Sequence, residues 1–276
     1  MQLMVMLAMS LGMFVLASIP EVVLVALGVD VMSRSVLIWM QGITQPLTFL
    51  VPVLLMTLIY YRGRQREYYR LDFSGPKWGN ALVGVVVLLL LLPAIDWLTI
   101  WNDSWNLGRV GEMLRSVQDM TEGIVKQLTA TSTVGGLLAN LLVIALIPAV
   151  CEEVFFRAGI QNLLQRWFKN DHAAIWVTAL IFSLAHGEVF AFVPRFLIGA
   201  VLGYLYVYGG SILPNMLAHF VNNAIVVVVY WLVARGVLDI DPEAPMAVGE
   251  ALTACCTLAA IAVFGVTFGK KLKISR

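Results

Sequence analysis

The stretch LLANLLVIALIPAVCEEVFFR, residues 137–157, decides how the chain reads. Its first half, LLANLLVIALI, is uncharged and almost wholly apolar. Glu152, Glu153 and Arg157 then follow within one continuous helical pattern. Ionisable side chains at membrane depth are expensive, so they mark a candidate functional site by default. Whether these three lie in a membrane depends on the rest of the chain.

The 276 residues are 60% hydrophobic and 13% charged, with a mean hydropathy of +0.87. Soluble domains carry about 25% charged residues, so the composition is that of a polytopic membrane protein. The net charge of +1, with no basic stripe interleaved with aromatics, gives no reason to expect nucleic acid as a partner. The cysteines Cys151, Cys255 and Cys256 fit neither a disulfide framework nor a zinc pattern. The first nineteen residues are apolar but lack a positively charged leader, so they read as a first membrane helix rather than a signal peptide.

A membrane span needs about 20 mostly apolar residues. Eight segments qualify: 3–28, 36–60, 79–101, 134–165, 172–187, 191–208, 212–234 and 249–269. Long apolar runs favour helices over a barrel. The expected fold is therefore one all-α integral membrane domain over 1–276. Between spans three and four, Val110, Met113, Leu114, Val117, Ile124, Val125 and Leu128 recur at helical spacing among polar residues. That pattern predicts an interfacial helix. Lys and Arg concentrate in 62–77, in 166–171 and in the tail KKLKISR. With eight spans these three regions fall on one side, which puts both termini in the cytoplasm.

Helix geometry separates the three charges. Glu153 and Arg157 are i and i+4, acid first, the favourable order for an ion pair. Glu152 is rotated about 100° from Glu153 and points elsewhere. Pro148 removes one helix hydrogen bond just before the acids. Two other spans add polar groups: His186 ends FSLAH (182–186), and His219 opens HFVNN (219–223). His219 and Asn223 share a face, with Asn215 one turn earlier and Asn222 beside them. His172, at a span end, reads as interfacial. Any one of these groups can be plain helix glue. Glu152, His186, His219 and Asn223 together suit chemistry better: a carboxylate and an imidazole deprotonate a water, while imidazole and amide N–H groups stabilise a developing oxyanion. That is a peptide hydrolase with neither a covalent nucleophile nor a cofactor.

EEVFFR resembles the EExxxR box of the CPBP family, the CAAX-protease and bacteriocin-processing group of intramembrane glutamate endopeptidases. FSLAH resembles its FxxxH box and HFVNN its HxxxN box, in the same order. The resemblance covers roughly 135–225, the expected catalytic core; the flanks add little beyond being membrane-like. It implies that Glu152 activates water with help from His186, that His219 and Asn223 form the oxyanion hole, and that Glu153 and Arg157 support the site. It also implies a membrane-associated substrate, a protein or peptide tail that carries a lipid in some members. The compact chain suggests a prokaryotic cell membrane.

Other readings stay open. Glu152, His186 and His219 are an acceptable zinc ligand set, although HExxH spacing is missing. Cys151 adjoins Glu152, but a thiol in apolar surroundings is inert. Members of the family are also linked to bacteriocin immunity and scaffolding without catalysis. Intramembrane Glu, His and Arg build transporter proton relays too, though no paired broken helices stand out.

Overall fold

A computed structural model describes residues 1–71, 75–246 and 248–274. Of the charges counted for orientation, Arg276 and the side chains of Lys77, Lys270, Lys271 and Lys273 lie outside what it describes. Among the described residues the chain is 83% helical and carries no strand.

The helices in chain order are α1 Gln2–Ala26, α2 Arg34–Tyr60, α3 Gly75–Asp103, α4 Gly108–Thr129, α5 Val134–Phe168, α6 Asp171–Ala185, α7 Val189–Gly209, α8 Leu213–Ala234 and α9 Glu250–Ile274. All but α4 and α6 are long and apolar enough to cross a membrane, which gives seven such spans among the described residues. The fifth segment expected from sequence, α6, has only 15 residues. At 1.5 Å per residue it measures about 22 Å, short of a hydrocarbon core of about 30 Å. Its ends are set locally. The side chain of Asn170 accepts from Ala173 N–H at the start, and Gly187, with φ +71°, ends it. Helix α4 stands where the interfacial helix was expected. Its Val110, Met113, Val117 and Met120 form an exposed stripe, the pattern of a helix lying at a headgroup boundary.

The described residues form two compact units. The first takes residues 1–71, 122–163 and 219–242. Here α1 and α2 pack directly on α5. Gly159 makes this possible, since a Cβ there would lie 2.8 Å from Met6 Sδ and 3.3 Å from Val53 Cγ2. Phe49 of α2 meets Phe155 edge-on at 5.1 Å. Arg34 fastens one end of this unit, donating to the carbonyls of Leu128 and Gly136 and to Asn140 Oδ1.

The second unit takes residues 75–121, 164–218 and 243–274 of those described. Its core joins Leu88, Leu202, Leu205, Tyr208, Ala218 and Phe268. Gly199 packs α7 on α6: a Cβ there would stand 3.3 Å from Ala179 Cα. The small residues of α7 thus serve packing inside the chain.

Candidate active site

Helix α5 is not a uniform α-helix. Residues Leu141–Leu146 and Glu153–Gln161 are π-helical, separated by the α-helical turn Ile147–Glu152 that contains Pro148. Extended π geometry is rare and is frequently found at functional sites. Proline explains part of it, because its missing N–H and its ring both disrupt the α ladder. The second π segment begins at Glu153, the second residue of the EEVFFR box.

Glu153 and Arg157, both 0% exposed, form the expected pair with Arg157 Nε 3.0 Å from Glu153 Oε2. A pair this buried needs further hydrogen bonds to offset its desolvation. One comes from α8: His219 Nδ1 lies 3.0 Å from Glu153 Oε1. Each oxygen of Glu153 therefore has its own partner, a guanidinium and an imidazole. That contact assigns the Nδ1 proton of His219 from the hydrogen-bond geometry.

The other ring nitrogen, Nε2, lies 3.9 Å from Oε2 of Glu152. This exceeds hydrogen-bond length but leaves both atoms within reach of one shared water. His219 thus stands between two carboxylates, anchored to one and turned toward the other. The sequence placed Glu152 away from the ion pair; in the structure its Oε2 faces His219 Nε2. The sequence did not place His219 on Glu153. Glu152 and His219 are both buried, at 6% and 5% exposure.

Asn223 lies one turn beyond His219 on α8 and accepts from Asn222 Nδ2 at 3.3 Å. Asn215, counted in the same polar stripe, donates to the Leu202 carbonyl. It fastens α8 to α7.

His186 belongs to the second unit. It caps α6, with Nδ1 2.7 Å from the Phe182 carbonyl and its ring 4.8 Å from that of Phe182. The turn that follows is clamped from several sides. Fully buried Asn102 donates to Val189 O at 3.0 Å and accepts from Val193 N at 2.7 Å. Ser183 Oγ donates to the Phe192 carbonyl, and Arg195 pairs with Glu188. Nothing in the boxes announces Asn102. Its signal is that of a lone amide near a span end.

His172, expected to be interfacial, has Nδ1 2.9 Å from Tyr204 OH. Cys151 is a buried free thiol on α5. Among the described residues, no group of three or more His, Cys, Asp or Glu side chains is arranged to hold a metal ion.

These spans and this buried cluster define an all-helical integral membrane protein with ionisable groups inside its helices. Residues 134–225, about a third of the chain, match the family model of Rce1-like proteins, described as type II CAAX prenyl endopeptidase Rce1-like. Over those residues the chain is similar to that family, and the match supports a membrane endopeptidase in general. Comparison with curated proteins and with solved structures gave no match.

Proposed function

We propose that the protein is a metal-independent intramembrane endopeptidase in which Glu152 activates water against a peptide bond. The observation that carries this reading is the contact of His219 with both acids. Glu153 holds the imidazole by Nδ1, so that Nε2 and the Glu152 carboxylate face one small volume. A water there would give a proton to Glu152 as its oxygen attacks the scissile carbonyl carbon. The tetrahedral intermediate then collapses, the C–N bond breaks, and Glu152 returns the proton to the leaving amine. Asn223 and His219 line the same helix face and are the candidates for oxyanion donors, Asn223 through its amide N–H and His219 through Nε2 only when both ring nitrogens carry protons. The family resemblance assigns His186 the assisting role. Arg157 holds Glu153 in place.

The substrate on this reading is a membrane-associated protein or peptide tail, lipid-modified in some cases. The setting is a prokaryotic cell membrane with both termini cytoplasmic. A second reading rests on the same network: Glu153, Arg157 and His219 fasten α5 to α8, which would serve a non-catalytic scaffold or immunity protein equally well. Cleavage of lipid-modified and unmodified peptides by purified wild type, Glu152→Ala, His186→Ala and His219→Ala separates the two. Catalysis predicts cleavage by the wild type and its loss in each variant. Wild-type rates from Glu152→Ala would sink the mechanism.

A further inference from the structure

We propose that the turn after α2, residues 61–71, binds the headgroup phosphate of an anionic phospholipid through Arg62, Arg64 and Arg66. The inference rests on the membrane crossing of α2 and not on the protease reading.

The turn is folded and seated. Helix α2 ends at Tyr60, and the chain then bends back through two left-handed residues, Gly63 at φ +80° and Arg70 at φ +50°. Glycine takes that region freely, whereas arginine does so only where its surroundings hold it. Three tyrosines do the holding. Tyr61 OH donates to Gln2 Oε1 of α1 at 2.9 Å, and Tyr69 OH is hydrogen-bonded to Thr57 Oγ1 of α2. The Tyr68 carbonyl accepts from Asn162 Nδ2 of α5 at 3.3 Å. The rings of Tyr61 and Tyr68 lie 4.4 Å apart, and those of Tyr68 and Tyr69 lie 5.7 Å apart. Tyrosine gathered at a span end is typical of the headgroup level.

The turn sorts its residues by side. Tyr68 and Tyr69 are buried, while Arg62, Arg64 and Arg66 are exposed. Four arginines stand against one acid, Glu67, which leaves a net charge of +3 over residues 61–71. Among the described residues, Arg62, Arg64 and Arg66 form no ion pair. Other arginines of the chain are engaged by it: Arg34 by Asn140, Arg115 by Asp103, Arg157 by Glu153 and Arg195 by Glu188. Of the three, only Arg66 has a side-chain bond, from Nε to the Leu71 carbonyl at 3.3 Å.

This arrangement asks for phosphate at the membrane surface. A guanidinium meets phosphate oxygens bidentately, and basic clusters directly beside a span draw anionic lipids. Orienting a span requires only positive charge within about 15–20 residues of its end. It does not require a tyrosine-seated turn that keeps its arginines out of ion pairs. Phosphatidylcholine carries its own cation beside the phosphate, so the turn selects a headgroup with net negative charge, such as that of phosphatidylglycerol.

The test titrates the full chain in nonionic detergent with phosphatidylglycerol or phosphatidylcholine and counts bound lipid by native mass spectrometry. Each arginine at a membrane surface is worth about fivefold in affinity, so phosphatidylglycerol should bind at least about tenfold tighter. Arg62→Gln, Arg64→Gln and Arg66→Gln combined should abolish that preference. If the triple variant fails to elute as a folded species, Arg62→Gln and Arg64→Gln alone should each lower the preference several-fold. The corresponding Lys substitutions should keep most of it. Lys270→Gln, Lys271→Gln and Lys273→Gln combined, in the other basic cluster, should leave it unchanged, and an equal concentration of inorganic phosphate should not displace the lipid. Equal affinity for the two lipids would overturn the proposal, as would a preference that survives the arginine variants. So would a preference lost with the tail lysines, or displacement of the lipid by inorganic phosphate.

Discussion

His219 Nδ1 lies 3.0 Å from Glu153 Oε1, while Nε2 of the same ring lies 3.9 Å from Glu152 Oε2. The two neighbouring acids thus meet one imidazole in different ways. One carboxylate holds the ring, and the other shares the space in front of it.

That asymmetry predicts different kinetics for two conservative variants. Glu152→Gln removes the proposed base and should lower kcat by about a hundred- to ten-thousand-fold with little change in KM. Glu153→Gln keeps the base but weakens the hold on His219, so kcat should fall less while thermal stability also drops. Steady-state cleavage of one peptide by both variants checks this. Equal losses of kcat, or a larger loss in Glu153→Gln, would contradict the division of roles.

Arg157 is fully buried against Glu153. Arg157→Met leaves that carboxylate buried without its guanidinium and should cost about 3–5 kcal/mol. Arg157→Met combined with Glu153→Gln should recover part of the loss, because no net charge is then stranded. Unfolding of the three variants in detergent gives the coupling directly. Additive losses would show that the pair contributes nothing beyond its separate members.

Gly159 gives α1 and α2 their close approach to α5. Gly159→Leu should destabilise the protein by about 1–3 kcal/mol through overpacking. Met6→Ala should restore part of that, since Met6 Sδ is the atom that the new side chain meets first. A Met6→Ala background with no rescue would place the strain elsewhere.

Asn102 ties the turn after His186 through two backbone contacts. Asn102→Leu leaves the Val189 carbonyl and the Val193 N–H without their partner, at about 1–3 kcal/mol for each buried group. Hydrogen exchange in 187–193 should quicken while α9 keeps its protection. Unchanged exchange in that turn would refute the clamp.

Much of this was legible because charge in an apolar run is conspicuous. Glu152, Glu153, Arg157, His186 and His219 stood out on sequence, and helical spacing alone paired Glu153 with Arg157. The contact of His219 with Glu153 was not legible, because it joins residues 66 positions apart and carries no local pattern. The π segments were hidden as well: Pro148 warned of a disturbed helix, but not of its form. The flanking helices looked like generic membrane sequence. Only the packed structure shows Met6 and Val53 against the motif helix. Span five, 172–187, is the shortest of the eight expected segments on sequence alone, and its depth did not fit that of Glu152 without a tilt or a partly re-entrant course. Gly187 and the Asn170 cap set its actual length.

The π geometry of α5 has a consequence for tolerance to deletion. A π turn holds more residues than an α turn, so the segment Glu153–Gln161 carries slack in its register. Removing one residue between Arg157 and Gln161 converts part of it to α geometry and leaves the helix beyond near its original facing. The same deletion in the middle of α3, which has no such reserve, turns everything downstream by about 100°. The motif helix is therefore better able than α3 to lose a residue and keep its partners, a reserve it shares with α2, whose Pro46–Leu50 is also π-helical.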